Sequence, residues 1–276
     1  MTRVGFIGLG SQGGPMAQQI IDAGYTTTLW ARRPETLEPY EGTSAIFAAS
    51  PADVGAGSDV LCICVVDDAG VDEILRGDDG ALATLATGSI VVIHSTVRPS
   101  TCIRLQEDYP SLRILDAPVS GGGHKAAARE LLVMVGGDET ALDECRPILE
   151  TFGNPVLHLG PLGAGQEAKL LNNTLFTAQL ALAAEVFDVA AQRGLDQASV
   201  AQILATGSGR SFAADIVGGS GFNLDSMAAG AGTLLAKDVG ILAAHTGLTD
   251  SPLLNAADAA LERMGVPRTL GEDHHV

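Results

Sequence analysis

The distribution of apolar and polar positions divides the chain into two parts. Through residues 1–160, short apolar runs alternate with helical segments, which predicts a mostly parallel, doubly wound α/β sheet. The predicted strands are Val4–Ile7, Thr26–Trp30, Val60–Val65, Ile90–His94, Arg113–Leu115, Leu131–Val135 and Val156–Leu159. The predicted helices between them are Pro15–Ala23, Gly70–Leu75, Ser100–Tyr109 and Glu139–Phe152.

Strand patterns stop near Gly160, and residues 161–276 are expected to form an all-α domain built on a long interdomain helix. This helix, Gln166–Gln192, contains neither Gly nor Pro, and we expect it to be buried for most of its length. Its apolar stripe consists of Ala168, Leu171, Leu175, Ala178, Leu182, Val186 and Val189. Shorter helices are expected at Gln197–Ala205, Ala236–His245 and Ser251–Met264, a loop with helical turns at 207–232, and a mobile polar tail at 271–276.

A glycine cluster follows the first predicted strand and opens a helix. Residues 8–13 read Gly8, Leu9, Gly10, Ser11, Gln12 and Gly13, which matches G-x-G-x-x-G. In a strand–turn–helix context, this pattern is typical of a dinucleotide-binding Rossmann domain, in which a pyrophosphate lies at the helix N-terminus. We therefore predict a dinucleotide site here, against the alternative of a plain strand–helix turn.

The end of the second predicted strand indicates which dinucleotide is preferred. An acidic residue at this point would bind the adenosine ribose and repel a 2′-phosphate. This chain instead has Ala31, Arg32 and Arg33, and guanidinium groups can bind a phosphate through two parallel hydrogen bonds. We expect NADP(H) to be preferred, with NAD(H) possible, although the two arginines could also be merely solvated.

Composition limits the remaining functional classes. A net charge of −17 without clustered Lys and Arg argues against nucleic acid as a partner. The longest uncharged part of the long helix is too short and too polar to cross a bilayer, so no membrane contact is expected. The four cysteines lack metal-ligand spacing, which predicts buried free thiols, no metal and a cytoplasmic location.

Four stretches, in order, resemble the β-hydroxyacid dehydrogenases, the family of 3-hydroxyisobutyrate dehydrogenase and tartronate semialdehyde reductase. Residues 7–17 resemble that family's cofactor motif, and residues 116–122 its D-A-P-V-S-G-G substrate signature. Residues 163–173 resemble its catalytic G-x-G-x-x-x-K-x-x-N-N, and residues 235–239 its C-terminal K-D motif. The resemblance implies interconversion of a short β-hydroxy acid and its semialdehyde, and a homodimer or homotetramer formed through the C-terminal domain.

The resemblance also implies roles for individual residues. Lys169 would be the general acid/base, supplying a proton where hydride transfer leaves an alkoxide. The small anionic substrate would be bound by Ser120, Gly121, Gly122, Asn172, Asn173 and Lys237. Besides the glycine cluster and residues 31–33, the cofactor would contact Val65, Val66, Asp67, Ser95, Thr96 and Lys237. Val65-Val66-Asp67 departs from the family's L-P-D, which weakens that assignment.

Other interpretations stay open at this stage. Lys169 alone could be an ordinary lysine paired with Glu167 or Glu185. Lys125 and Arg129 stand where the family has glycine; they either face solvent or add positive charge near the pocket mouth. An imine reductase resembles this architecture but typically lacks the catalytic lysine, and a non-catalytic dinucleotide-binding module would not need one. The sequence names neither the substrate nor the physiological direction.

Overall fold

In the computed structural model, residues 2–268 are described, and the predicted tail at 271–276 lies outside them. The residues up to Lys169 form one compact unit, and those from Leu170 onward form a second. The strands are β1 Arg3–Ile7, β2 Thr26–Trp30, β3 Ile46–Phe47, β4 Val60–Ile63, β5 Ile90–Ile93, β6 Arg113–Asp116, β7 Val119–Ser120, β8 Leu131–Gly137 and β9 Gly153–Gly160.

Helices alternate with these strands in the first unit and make up the second. They are α1 Gly13–Asp22, α2 Pro51–Ala56, α3 Asp68–Arg76, α4 Pro99–Asp108, α5 Gly122–Ala127, α6 Glu139–Leu149, α7 Ala164–Gln192, α8 Gln197–Thr206, α9 Phe212–Gly219, α10 Asp225–Thr246 and α11 Pro252–Arg263. Two short 3₁₀ segments lie at Pro34–Tyr40 and Ala81–Ala83. Helix α7 begins in the first unit and continues into the second.

The sheet of the first unit has the strand order β3-β2-β1-β4-β5-β6-β8-β7, with β9 paired to β8. The pairs from β3 to β6 are parallel, whereas β8 runs antiparallel to β6 and β7. The order 3-2-1-4-5-6 is that of a dinucleotide-binding Rossmann sheet, whose ligand lies where the order reverses beside β1. The predicted doubly wound, mostly parallel sheet is therefore confirmed.

Alternate residues of each strand pack into two separate hydrophobic cores, one on each face of the sheet. Because both faces are buried, the strands appear in the sequence as continuous apolar runs. Phe6 and Cys62 pack on one face with Met16 of α1, whereas Ile7 and Ile63 pack on the other face. The cysteines are free thiols as predicted. Burial raises the pKa of Cys64 and Cys145 to about 12, so both stay protonated.

The second unit is helical, as predicted. Two local expectations are wrong: the one for segment 207–232 and the one for the buried side of α7. The segment 207–232, expected to be a loop with helical turns, instead contains the whole of α9 and the first two turns of α10, which begins at Asp225 and runs on through Ala236. The side of α7 that faces the unit's core carries mainly small residues together with Leu180 and Phe187.

Apart from Ala178, which is buried in the core, and Ala168, which is half-buried, the predicted stripe of α7 consequently lies on its exposed side. Its five large residues are each 43–56% exposed: Leu171, Leu175, Leu182, Val186 and Val189. By length and composition alone, α7 and α10 are also long and apolar enough to cross a membrane, which is weak evidence because core helices pass the same test.

Candidate active site

The first glycine cluster forms a tight turn between β1 and α1, and each glycine has a separate reason. Gly8 has a φ of +101°, and a Cβ there would lie 2.2 Å from the Cys64 carbonyl oxygen. A Cβ on Gly13 would lie 2.0 Å from the Gly8 oxygen, so helix and turn pack without a side chain. A Cβ on Gly10 would meet nothing within 4 Å, which leaves open space beside the backbone. The turn therefore fits an approaching pyrophosphate.

The residues after β2 are mostly solvent-exposed. Ala31 is half-buried, whereas Arg32 and Arg33 are exposed. The guanidinium of Arg32 forms an ion pair with Glu73 of α3, with an Nη2–Oε2 distance of 2.6 Å. A phosphate that binds Arg32 must therefore compete with this carboxylate.

The loops after β4 and β5 are joined by a hydrogen bond. The Val65 N–H donates to Ser95 Oγ at 2.8 Å, and Thr96 follows as a half-buried residue. Asp67 caps α3 by accepting the Gly70 N–H at 2.8 Å, and Val66 is 65% exposed. Two of the predicted cofactor stretches thus meet at the carboxyl edge of the parallel strands, where ligands bind in such sheets.

The predicted substrate signature forms a loop that contacts the first glycine cluster. Ser120 ends β7, and Gly121 and Gly122 follow with φ values of +135° and +76°. A Cβ on Gly123 would lie 2.2 Å from the Ser11 carbonyl oxygen, so only glycine allows this close approach. Gly123 had no predicted role, although its place in a run of three glycines was the available signal.

Lys125 and Arg129 are bound to neighbouring side chains. Lys125 Nζ forms an ion pair with Glu130, and Arg129 Nε donates to Gln19 Oε1 at 2.7 Å. Arg129 has a φ of +62°, a conformation that favours glycine. The interpretation in which both side chains lie on the outer surface is therefore the better supported one.

The start of α7 is held in a narrow slot. Gly163 has a φ of +99°, and a Cβ on Gly165 would lie 2.3 Å from the Met134 carbonyl oxygen. Asp116, fully buried at the end of β6, accepts the N–H groups of Gly163 and Gln166, each at 2.6 Å. These N–H groups have no partner within a helix, so the carboxylate acts as a cap. Burial raises the pKa of Asp116 from its ordinary value, and the backbone donors counteract that rise.

Gln166 is also fully buried, in the first turn of α7. Its Oε1 accepts the Val97 N–H at 3.1 Å, and its Nε2 donates to the Ser95 carbonyl oxygen at 2.8 Å. Lys169 follows three residues later and is only 9% exposed. Neither Gln166 nor the capping role of Asp116 was predicted from the sequence, although a glutamine in a predicted buried helix was a usable signal.

The second unit contains a separate polar cluster around Asp238 of α10. Asp238 is 3% exposed; its Oδ2 accepts from Asn173 Nδ2 at 2.6 Å and its Oδ1 from Lys237 Nζ at 2.8 Å. Asn172 is exposed and donates to Asn173 Oδ1 at 3.1 Å. The structure thus brings together Asn172, Asn173 and Lys237, three of the predicted substrate residues.

The strand order and the open glycine turn define a dinucleotide-binding protein of the Rossmann type. Family models agree: the NAD binding domain of 6-phosphogluconate dehydrogenase matches residues 3–160, and the NAD-binding domain of NADP-dependent 3-hydroxyisobutyrate dehydrogenase matches residues 163–275.

Individual relatives point to the same family. The chain is 36% identical to an NAD-dependent L-serine dehydrogenase of Pseudomonas aeruginosa, over 78% of this chain and 73% of that protein. It is 32% identical to the mitochondrial 3-hydroxyisobutyrate dehydrogenase of Rattus norvegicus, over 92% of this chain and 78% of that protein. A solved Mycobacterium tuberculosis 3-hydroxyisobutyrate dehydrogenase with L-serine superposes with a TM-score of 0.84 at 27% identity, covering 97% and 95% of the two chains. The chain belongs to the β-hydroxyacid dehydrogenase family and is an NAD(P)-dependent oxidoreductase.

Proposed function

We propose that this chain interconverts a short β-hydroxy acid and its semialdehyde, with Lys169 as general acid/base. The observation that carries the proposal is a lysine, only 9% exposed, in the second turn of a helix whose first turn is bonded to the carboxyl edge of the sheet. L-Serine and 3-hydroxyisobutyrate, named for the relatives above, are both β-hydroxy acids and are the first substrates to test.

The dinucleotide, when bound, supplies or accepts a hydride at the substrate carbon. The protein must then donate or remove the proton on the substrate oxygen. In reduction, the Lys169 ammonium donates a proton to the carbonyl oxygen as it becomes a hydroxyl; in oxidation, the neutral amine takes that proton back. The Ser120 hydroxyl and the backbone N–H groups of Gly121 and Gly122 would bind the substrate carboxylate, and Lys237 would complete the anion pocket. Asn173, with Asn172 beside it, would hold the substrate oxygen and Lys169.

Substitution of Lys169 tests this mechanism. Lys169→Ala should lower kcat by about 10²- to 10⁴-fold, the usual contribution of a general acid or base, while NADPH binding measured by fluorescence is retained. Lys125→Met, which removes a different lysine ammonium, is the matched control and should keep kcat. Unchanged turnover of Lys169→Ala would remove the lysine from the mechanism. If the native protein turned over no hydroxy acid, reduction of an imine would favour an imine reductase-like enzyme, and the absence of both activities would favour a non-catalytic module.

We propose further that NADP(H) is preferred over NAD(H). Support comes from Arg32 and Arg33, which follow β2 without an acidic residue, and from the NADP-dependent enzyme for which the second matching domain is named. The NAD-dependent serine dehydrogenase relative argues the other way. The ratio of kcat/KM for NADPH and NADH decides between them, and a ratio at or below one would contradict the proposal.

We propose a homo-oligomer, a dimer or tetramer, formed through the second unit. Support comes from the exposed side of α7, where five large apolar side chains follow one another at helical spacing, as Leu182 and Val186 do. Light scattering should give a multiple of 28.2 kDa. Leu182→Glu should dissociate the oligomer, whereas Leu248→Glu, at an exposed leucine beyond α10, should not; a native monomer would contradict the proposal.

A further inference from the structure

Gln166 is a fully buried polar side chain in a largely apolar helix. Both ends of its amide are used: Oε1 accepts the Val97 N–H, and Nε2 donates to the Ser95 carbonyl oxygen. These two backbone groups flank Thr96, the residue expected at the nicotinamide side of the cofactor. One glutamine amide therefore holds the backbone on both sides of that residue.

The segment that Gln166 binds is itself anchored to the sheet. Ser95 Oγ accepts the Val65 N–H at 2.8 Å, and His94 Nδ1 lies 2.8 Å from the Ala117 carbonyl oxygen. Because the strands on either side hold this segment, the hydrogen bonds of Gln166 locate the helix relative to the loop.

The backbone and the side chain of Gln166 constrain the helix in different ways. The carboxylate of Asp116 binds the N–H groups of Gly163 and Gln166, which sets how closely the helix end approaches β6. That contact involves only backbone groups at the end of the helix. The side-chain amide adds a second anchor, on the segment after β5, and two anchors on different parts of the sheet together restrict rotation about the helix axis. Lys169 lies three residues further along, on the same side of the helix.

We propose that Gln166 is a positioning residue that fixes the rotation of the first turns of α7 and thereby sets Lys169 relative to Thr96. The inference rests on the proposed role of Lys169 as general acid/base. Gln166 does not touch the reacting atoms; it acts through the lysine. A displacement of about 1 Å in a catalytic group can cost about 100-fold in rate, so loss of the amide should appear in kcat.

Gln166→Met keeps an unbranched side chain of similar length but has neither hydrogen bond. We expect kcat with L-serine or 3-hydroxyisobutyrate to fall roughly 30- to 100-fold. The Kd for NADPH should change less than about threefold, because Kd reports cofactor binding and kcat reports the step in which Lys169 takes part. The matched control is Gln106→Met. Gln106 also bridges backbone groups, those of Leu112 and Ile114, but at the opposite edge of the sheet.

Both variants should lose thermal stability, but only Gln166→Met should lose kcat. Equal kcat in the two variants, at equal loss of Tm, would overturn the inference. If Gln166→Met does not fold, Gln166→Leu replaces it, since leucine also lacks the acceptor for Val97 and the donor to Ser95; a native kcat in that variant would overturn the inference equally.

A double variant separates this inference from the proposed function. If Gln166 acts through Lys169, Gln166→Met should lower kcat little further in the Lys169→Ala background; a full additional loss would overturn the positioning role. If Lys169→Ala itself keeps turnover, the proposed function fails whatever Gln166 does. If Lys169→Ala loses turnover while Gln166→Met retains it, only the positioning inference fails.

Discussion

Asn173 Nδ2 donates to Asp238 Oδ2 at 2.6 Å, and this hydrogen bond joins α7 to α10 within the second unit. The second oxygen of the same carboxylate binds Lys237 Nζ at 2.8 Å. One buried carboxylate therefore holds two of the predicted substrate-binding side chains at once, and we expect Asp238 to affect substrate binding through them.

Asp238→Asn should impair both stability and substrate use. Hydrogen bonds to charged groups contribute about 1.5–3 kcal/mol each, so we expect the free energy of unfolding to fall by about 2 kcal/mol. KM for the hydroxy acid should rise roughly tenfold, since the replacement weakens the hold on Asn173 and Lys237. The control is Asp188→Asn, which removes an exposed carboxylate paired with Arg263. Similar effects in the two variants would show that Asp238 has no special role.

Glu73 should reduce the preference for NADP(H). It forms an ion pair with Arg32, and exposed pairs are worth about 0.2–1 kcal/mol, so Glu73→Gln should raise the NADPH/NADH ratio of kcat/KM by roughly two- to fivefold. Asp72→Asn is the matched control, because Asp72 precedes Glu73 on α3 but pairs with Arg76. If both variants shift the ratio equally, the cause is the loss of one negative charge from this surface and not the loss of the Arg32–Glu73 ion pair.

Lys125 and Arg129 should not select the substrate. Each is bound to a neighbour, Lys125 to Glu130 and Arg129 to Gln19, so Lys125→Met and Arg129→Ala should change KM for an anionic hydroxy acid less than about twofold. Steady-state kinetics with a short and a longer β-hydroxy acid checks this. A rise in KM of about tenfold for either acid would restore the interpretation of a positively charged pocket mouth.

His94 should make stability depend on pH. Its Nδ1 must carry the proton, because its partner, the Ala117 carbonyl oxygen, can only accept, and Nε2 is buried with no hydrogen-bond partner among the described residues. Burial lowers the pKa of His94 from 6.5 to about 4. Between these values the unfolded chain binds a proton that the folded chain does not, so the free energy of unfolding should fall by about 3 kcal/mol as the pH drops from 6.5 to about 4.

His94→Asn tests this dependence. The asparagine amide can still donate to the Ala117 carbonyl oxygen but does not titrate, so this part of the pH dependence should disappear even though the smaller side chain lowers stability overall. Urea unfolding at several pH values gives the slope, and His158→Gln, at an exposed histidine, is the control. An unchanged slope in His94→Asn would assign the pH dependence to other groups.

Much of the first unit could be predicted from sequence because its signals are local. Every predicted strand is present, and the three glycines of the first cluster have the separate structural reasons expected for a dinucleotide turn. The strands β3 and β7 were missed because each has only two residues, too few for any periodicity. The short α2 and α5 were missed for the same reason.

The errors in the second unit have a different cause. Helix α7 is apolar on more than one side, and periodicity does not tell which side a core selects. The core packs against small residues such as Ala181 and Ala184, and leaves the large side chains of the predicted stripe outside. The pairing of Arg32 with Glu73 and the bonds of Gln166 join residues 41 and about 70 positions apart, so no local pattern contains them.

Asp116 also limits how this chain can be redesigned. It belongs to the D-A-P-V-S-G-G stretch, yet its carboxylate binds the N–H groups of Gly163 and Gln166 in the next motif. We expect a loop from a relative that replaces residues 117–123 but keeps Asp116 to leave the cap of α7 in place, because the two capping bonds come from residue 116 alone. A graft that also changes residue 116 removes the cap of the helix that bears Lys169, so the two motifs have to be transplanted, or evolve, together.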